Sequence, residues 1–198
     1  MNFLAHAHLS FYHPEFLLGN MVSDFVKGKK QYDFPVLIQK GIRLHRAIDA
    51  FTDIHPATRE IKKFFQPAYR LYSGGFTDIA YDYFLANDEN EFANENALQE
   101  FCRETYRLLE IHKEWQPSQF SMMFPYMKTQ NWLFNYRFDA GIEKSFAGMT
   151  HRARYINESR TALEIFLKHK AAMQEMYHSF YPSVKNFAAL TFEQMLAE

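Results

Sequence analysis

A histidine and an aspartate one helical turn apart are the first residues of this sequence whose types and spacing predict chemistry. His45 and Asp49 stand at positions i and i+4 of a segment with helical periodicity, so their side chains share one face. Two such side chains can ligate one metal ion or hydrogen-bond each other. In isolation the pair is ordinarily an ion pair on a helix surface, so a metal centre needs further ligands.

Further carboxylates and a second histidine occur beside apolar helical faces. Asp24 follows an apolar segment, and Asp78 and Asp82 are again i and i+4 among apolar residues. A carboxylate at the edge of a buried face is costly unless it is paired, hydrogen-bonded or metal-bound, so each one separately could be a cap or an ion-pair partner. Together with His6 and His45 they favour a metal centre, and nitrogen and oxygen donors suit Mn²⁺, Mg²⁺, Fe²⁺ or Zn²⁺.

Only one histidine of the segment His6-Ala7-His8 fits this hypothesis well. Residues two apart on a helix point about 200° apart, so both cannot easily bind one metal ion. His6 follows Phe3 and Leu4, on a face that we expect to pack inward. We interpret His8 as a half-buried structural histidine.

Small groups of basic residues flank these candidates. Such groups are usually solvated faces, but here they add positive charge next to the proposed centre, where a phosphate or an acidic protein could bind. The groups nearest in sequence are Lys27, Lys29 and Lys30 after Asp24, and Lys40, Arg43 and Arg46 around His45. Farther along the chain, the residues that could line a groove are Tyr126, Trp132, Tyr136 and Arg137.

Helices must position these residues, because strand-like alternation is missing and helical periodicity is found throughout. The residue before a proline and a glycine after an apolar run mark the predicted ends. Pro56 and Pro67 interrupt the chain after the helix over 35–53, Ser73-Gly74-Gly75 predicts a turn, and the polar segment 87–91 predicts a solvated loop. The predicted helices cover residues 2–12, 14–27, about 35–53, 76–86, 97–115, 125–137 and 153–180, with Pro182 as the last stop.

Within the helix predicted over 35–53, apolar residues recur at spacings of three and four. This spacing predicts a buried seam, which a second stripe containing His45 and Asp49 borders. The residues of the seam are Leu37, Gly41, Leu44, Ile48 and Phe51, and those of the second stripe are Ile38, Ile42, His45, Asp49 and Thr52/Asp53. We predict one compact all-α domain over residues 1–198.

The composition is that of an ordinary globular domain and excludes several classes of protein. The chain has 198 residues, of which 47% are hydrophobic and 23% charged, which fits neither disorder nor a fibrous repeat. A formal net charge of −1 lacks the basic excess of a general nucleic-acid-binding protein. No apolar run is long enough to span a membrane, no signal-peptide pattern is present, and the single Cys102 cannot form an internal disulfide. We therefore expect a cytoplasmic protein.

Several segments of the chain resemble the acyl carrier protein phosphodiesterases, also called acyl carrier protein hydrolases. The similarity covers nearly the whole chain in a single register, and the opening and the LHRAIDAFTD block are the most specific parts. The similar segments are MNFLAHAHLS at the start, LLGNMVSDFVKGK (17–29), GIRLHRAIDAFTDIHP (41–56), GGFTDIAYDYFLA (74–86), PYMKTQNWLFNY (125–136) and GMTHRAR (148–154).

This resemblance implies a fold, an activity and a cofactor. The family is regarded as a divergent branch of the all-helical HD-type metal-dependent phosphohydrolases, so the expected domain is HD-like. The implied reaction hydrolyses the phosphodiester that joins 4′-phosphopantetheine to a serine of holo-acyl carrier protein. The implied cofactor is a divalent metal, with Mn²⁺ preferred, and the implied partner is the acidic carrier protein.

The resemblance and the chemistry of the side chains together assign roles to individual residues. The expected metal ligands are His6, Asp24, His45 and Asp82, with Asp49 completing the shell or orienting His45. Arg46 and Lys27 are expected to neutralise phosphate oxygens. Lys29, Lys30 and Arg43 are expected to dock the carrier protein.

Two departures from the related patterns bear on these expectations. HD proteins carry adjacent histidine and aspartate, whereas here Arg46 follows His45. The family pattern has histidine after Asp82, whereas here Tyr83 follows it. If that histidine is a ligand, Tyr83 weakens the site; if it packs, tyrosine can replace it. Two other functions stay open at this point: an HD-like phosphohydrolase of a small nucleotide or phosphoester, and a non-catalytic module that binds carrier protein.

Overall fold

The chain folds into α-helices joined by short turns, as seen in a computed structural model of residues 1–198. The ten α-helices are α1 (Phe3–His8), α2 (Pro14–Val22), α3 (Val36–Ile54), α4 (Pro56–Tyr69), α5 (Ser73–Ala86), α6 (Glu95–Ile111), α7 (Ser118–Thr129), α8 (Trp132–Asn135), α9 (Asp139–Arg152) and α10 (Arg160–Ala197). Short 3₁₀ helices lie at Ser23–Phe25, Gly28–Asp33, Arg70–Tyr72 and Lys113–Trp115. No strand is present, so the prediction of an all-α protein is confirmed. None of the helices is both long and apolar enough to cross a membrane.

Several helix boundaries lie where proline and glycine predict them. Helix α2 begins at Pro14, a first helical position at which the missing N–H of proline costs no hydrogen bond. Helix α2 ends at Val22, earlier than the predicted 27, and Gly28, with a φ of 58° in the left-handed region that favours glycine, begins the second 3₁₀ segment after it. Pro35 immediately precedes α3. These boundaries place Asp24 in a tight turn between α2 and α3.

Helices α4 and α9 were not predicted, and the turn predicted at residues 73–75 is wrong. Pro56 occupies the first position of α4, and Ile61 and Phe65 bury one face of that helix completely. Residues 73–75 form the first turn of α5 instead. A Cβ on Gly75 would lie 2.5 Å from the Met149 sulfur of α9, so this glycine permits close helix packing and does not mark a turn.

The helices predicted over 125–137 and 153–180 differ in extent. Asn131, with a φ of 47°, separates α7 from α8, and α10 starts only at Arg160. Helix α10 also continues through Pro182 to Ala197, although an interior proline costs about 3 kcal/mol. Beyond it Val184 is fully buried and Phe187 stacks on Phe51 at 4.6 Å. Burying such a side chain contributes about 1.5–3 kcal/mol, so continuing the helix is favourable.

The contact between α2 and α3 brings two backbones together without intervening side chains. A Cβ on Gly19 would lie 2.2 Å from the carbonyl oxygen of Ile38, and one on Gly41 would lie 2.4 Å from that of Phe16. Only glycine permits so close an approach. Helix α1 packs against α2 and α5, so three segments distant in sequence meet at one end of this pair.

Helix α3 is buried on a wider face than the predicted seam. Gly41, Leu44 and Ile48 are buried as expected, whereas Leu37 and Phe51 are half-buried against the core. Most of the second stripe is buried as well, namely Ile38, Ile42, His45 and Thr52. His45 is only 5% exposed, so its imidazole lies in the protein interior and not on a helix surface.

Candidate metal centre

Three side chains from two distant helices meet beside the α2–α3 contact. His6 of α1 and His45 and Asp49 of α3 each offer a ligand atom, and these atoms all lie within 4.8 Å of one another. One carboxylate oxygen of Asp49 lies 3.2 Å from His6 Nε2, and the other lies 3.1 Å from His45 Nε2. The i, i+4 pair on α3 therefore faces a second imidazole, so it is not an isolated surface pair.

Asn20 of α2 orients both imidazoles. The backbone carbonyl of Asn20 accepts a hydrogen bond from His45 Nδ1 at 2.7 Å, so Nδ1 of His45 carries the proton. The amide nitrogen of Asn20 donates to His6 O and to Ser10 Oγ, so its oxygen, 2.8 Å from His6 Nδ1, is the acceptor. Each ring is therefore protonated at Nδ1 and directs Nε2 toward Asp49.

The two Nε2 atoms are buried and form no hydrogen bond of good geometry. The rings stack with centroids 3.8 Å apart at an interplanar angle of 15°, so two imidazolium charges there would repel each other. A neutral imidazole that already donates through Nδ1 presents a lone pair at Nε2, as metal-binding histidines do. With the Nε2 proton of His45 displaced by the incoming ion, two such lone pairs and one carboxylate fit a divalent cation.

The charges around Asp49 shift the pKa values of the cluster in opposite directions. Burial and the neighbouring His45 lower the pKa of His6 to about 4. Burial acts in the same direction on His45, but the neighbouring carboxylates of Asp24 and Asp49 outweigh it and raise the pKa of His45 to about 9, so a bound cation would displace the proton on Nε2. Burial would raise the pKa of Asp49, yet the Met1 ammonium and both imidazoles hold it well below its usual range. Asp49 is therefore an anion at neutral pH.

Asp24 and the amino group of Met1 border the cluster. Asp24 Oδ1 lies 3.3 Å from His45 Nε2, and 75% of the Asp24 side chain is exposed. The neighbouring imidazole of His45 lowers the pKa of Asp24. The Met1 amino group lies 3.2 Å from both Asp49 Oδ1 and Asp78 Oδ1. Asp24 thus lies on the solvent side of the cluster. Asp78 is linked to Asp49 of the cluster through the Met1 amino group, which contacts both carboxylates.

Asp82 and Tyr83 lie on α5 and serve other contacts. The carboxylate of Asp82 accepts hydrogen bonds from the backbone N–H groups of Leu4 at 2.7 Å and Ala5 at 3.2 Å, in the first turn of α1. Burial raises the pKa of Asp82 to about 7, although these donors act against it. Tyr83 packs against α10, with Lys170 Nζ 4.3 Å from its ring centroid. Tyr83 therefore packs on the α10 side of α5 and is not a member of the His6–His45–Asp49 cluster.

The predicted cationic residues lie outside the cluster. Arg46 donates to Gln31 Oε1 at 2.7 Å and to the carbonyl of Val26 at 3.1 Å, which ties it to the segment after Asp24. Lys27 and Lys30 line a cavity of about 630 Å³ next to that segment. Lys29 is exposed, and Arg43 is paired with Glu198 at 2.8 Å.

Sequence reasoning overlooked the role of Asn20. This residue is fully buried and satisfies both histidines, yet no short motif surrounds it. The available signal was an amide within the apolar run Leu17–Val22, where a buried polar group needs specific partners. Its partners lie 14 and 25 residues away in sequence, so only the packed helices reveal them.

The fold and the cluster define an all-α protein with a site of two buried histidines and one half-buried carboxylate that is able to hold a divalent metal. The profile of the acyl carrier protein phosphodiesterase family matches residues 1–184, and the chain belongs to this family. No solved structure matches the chain.

Curated relatives agree with this family membership along nearly their whole length. A protein of Photorhabdus laumondii named acyl carrier protein phosphodiesterase is 30% identical over 182 residues, which cover 92% of each chain. Proteins of the same name from Yersinia pestis and Escherichia coli O157:H7 are 29% and 32% identical and cover 93% and 92% of this chain. These two alignments include 95% and 94% of the relatives.

Proposed function

We propose that this protein hydrolyses the phosphodiester between 4′-phosphopantetheine and a serine of holo-acyl carrier protein. The products are apo-acyl carrier protein and free 4′-phosphopantetheine. The main support is the buried cluster of His6, His45 and Asp49 in a chain that belongs to the acyl carrier protein phosphodiesterase family. We further propose that the reaction takes place in the cytoplasm.

His6, His45 and Asp49 would hold a divalent metal, with Asp24 on the solvent side as a further carboxylate. Nitrogen and oxygen donors without thiolate are compatible with Mn²⁺, which we propose as the physiological ion. When bound, such an ion polarises phosphoryl oxygens and lowers the pKa of water to near ~7. Asp82, whose oxygens are engaged by the first turn of α1, would act as a positioning residue for His6.

The other residues of the chain would orient groups and balance charge. Asn20 would hold both imidazoles with Nε2 toward the reacting end of the substrate. We propose that Lys27 and Arg46 neutralise the phosphate as charge develops. Both lie beside the segment after Asp24: Lys27 is part of it, and Arg46 donates to the carbonyl of Val26. Burial of the two imidazoles strengthens their interactions with Asp49, because few water molecules compete there.

We propose that Lys29, Lys30 and Arg43 form the docking surface for the acidic carrier protein. Exposed Tyr32 and Val36 adjoin this basic region and add apolar area to it. Reversing charge in Lys29→Glu/Lys30→Glu should raise KM for holo-carrier protein with a smaller change in kcat, because electrostatic attraction acts mainly on association. Steady-state kinetics at low salt test this, and an unchanged KM would refute the proposed docking surface.

The proposed reaction is tested by incubating purified protein with holo-acyl carrier protein and Mn²⁺ and measuring the intact mass of the carrier. Wild type should remove the phosphopantetheine mass, whereas His45→Ala and Asp49→Ala should not. His151→Ala, an exposed histidine on α9, is the matched control and should retain activity. Cleavage that survives both cluster variants would refute the site.

The same assay separates the other candidate functions. A wild-type protein that cleaves a small phosphodiester but leaves the carrier intact would indicate a different phosphohydrolase. Binding of holo-carrier protein without cleavage of either substrate, in folded protein supplied with Mn²⁺, would indicate a non-catalytic binding module.

A further inference from the structure

A second cavity, distinct from the one beside Lys27, opens between the start of α1 and helices α8 and α9. Its volume is about 460 Å³, within the range of about 300–1,000 Å³ typical of small-molecule sites. Three aromatic rings and three side-chain amides line it, a lining suited to a flexible chain with both apolar and amide groups. These residues are Phe3, Trp132 and Tyr136, and Asn2, Gln130 and Asn135.

The cavity has a positive rim. Lys144 and Arg152 of α9 are exposed side chains that line it, and no carboxylate is among its lining residues. Neither cation forms an ion pair, whereas nearby Arg137 is paired with Glu95 at 2.8 Å. Unpaired cations at an uncharged cavity favour a ligand that carries negative charge.

The wall of this cavity is continuous with the candidate metal centre. Asn2 Nδ2 donates a hydrogen bond to Tyr136 Oη at 2.9 Å inside the cavity. The preceding residue, Met1, contacts Asp49 through its amino group at 3.2 Å. The Tyr136 hydroxyl, whose pKa burial raises, also lies within the electrostatic range of Asp82 and Arg152. Residues 1–4 therefore separate the cavity from the cluster by the width of one backbone segment.

Building on the proposed function, we infer that this cavity binds the 4′-phosphopantetheine arm of the substrate and the released product. The arm contains two amide groups, which match the side chains of Asn2, Gln130 and Asn135. Its dimethyl branch suits contact with the aromatic rings of Trp132 and Tyr136. Its phosphate lies at the mouth of the cavity, where the exposed cations Lys144 and Arg152 favour its negative charge.

Gly148 allows the cavity to be filled without disturbing the fold. This residue lines the cavity on α9, and a Cβ placed on it would meet only Arg152 Nη1, at 3.7 Å. Gly148→Leu therefore adds a side chain to the cavity at an ordinary contact distance. Ala147→Leu adds the same side chain at the next position, which is exposed and does not line this cavity, and serves as the matched control.

The test measures binding of 4′-phosphopantetheine, pantetheine and inorganic phosphate to metal-free protein by isothermal titration calorimetry. We expect 4′-phosphopantetheine to bind wild type and Ala147→Leu equally, and Gly148→Leu at least about tenfold more weakly. Pantetheine should bind wild type more weakly than its phosphate ester does, and Lys144→Gln/Arg152→Gln should remove that difference. Thermal unfolding of each variant verifies that it is folded.

Two results would overturn the inference. Equal affinity of wild type and folded Gly148→Leu for 4′-phosphopantetheine would show that the ligand binds elsewhere. Binding of inorganic phosphate as tight as that of 4′-phosphopantetheine would reduce the cavity to a simple anion site.

Cleavage of holo-carrier protein by the same variants keeps this inference separate from the proposed function. Loss of ligand binding in Gly148→Leu together with a lower kcat/KM for the carrier supports both. Ligand binding that Gly148→Leu removes, in a wild-type protein that cleaves no carrier, supports the cavity and refutes the proposed reaction. Normal cleavage with ligand binding unaffected by Gly148→Leu refutes the cavity alone.

Discussion

Replacing Asn20 with alanine should weaken binding of Mn²⁺ by a factor of about 10–100, the usual effect of removing a group that orients a metal-binding histidine. The substitution affects the two imidazoles differently. His6 loses its partner, because Nδ1 donates to the side-chain oxygen of Asn20. His45 keeps its partner, because Nδ1 donates to the backbone carbonyl of residue 20. We therefore expect a weakened site and not its complete loss.

The cost to stability follows from the hydrogen bonds of Asn20. His6 O retains Ser10 Oγ as a donor at 2.8 Å, so the group left without a partner is His6 Nδ1. One buried unsatisfied donor costs about 1–3 kcal/mol, and the truncated side chain leaves a small cavity as well. We expect a total loss of about 2–4 kcal/mol, which lowers Tm by about 4–16 °C in a domain of this size.

The assay follows free Mn²⁺ by electron paramagnetic resonance during titration of the folded protein. Thr58→Val is the matched control, because it removes a buried hydrogen bond to Tyr81 Oη (2.9 Å) on other helices. Thr58→Val should lower the free energy of unfolding by a similar amount, about 1–3 kcal/mol, and leave the affinity for Mn²⁺ unchanged. Wild-type affinity in folded Asn20→Ala would refute the role of Asn20 in orienting His6.

Two further predictions concern helix packing and pH. Gly41→Ala should lower the free energy of unfolding by about 2 kcal/mol. Overpacking at the α2–α3 contact destabilises by up to about 3 kcal/mol, whereas the higher helix propensity of alanine stabilises by about 1 kcal/mol. Gly148→Ala, with open space around it, should instead raise Tm slightly, and equal Tm values for the two variants would contradict the close α2–α3 contact. Burial, together with Lys185, lowers the pKa of His8 to about 4, so the unfolded chain binds more protons between about pH 6.5 and 4. Metal-free protein should therefore lose up to about 3 kcal/mol as the pH falls through this window, as urea titrations can measure, and His8→Gln should lose less.

Local patterns predicted most of the helices and the pairing on α3. His45 and Asp49 share a face because i, i+4 spacing is a property of any α-helix, independent of what packs around it. The break before Pro14 and the role of Gly28 are likewise local, since each depends on the backbone preference of one residue. His8, interpreted from the sequence as a half-buried structural histidine, is half-buried and hydrogen-bonded to Tyr181 at 2.7 Å.

The errors occurred where packing outweighed local preference. Gly74 and Gly75 suggest a turn, but both lie in the first turn of α5, and Met149 of α9 packs against Gly75. Pro182 suggests a helix end, but the residues after it bury apolar surface against α2 and α3. In the predicted groove, Trp132 and Tyr136 line a cavity, whereas Tyr126 is exposed and Arg137 is paired with Glu95.

The sequence by itself determined the helical class, the family resemblance and the residue types available for a metal centre, because these depend on composition, periodicity and local motifs. Tertiary structure alone decided which of those residues meet. His6 faces Asp49 because α1 packs against α2 and α5, and Asn20 reaches both histidines because Gly19 and Gly41 let α2 and α3 approach closely. Asp82 instead binds the start of α1, since buried backbone N–H groups there require an acceptor. Such contacts join residues far apart in the chain, and no local pattern specifies them.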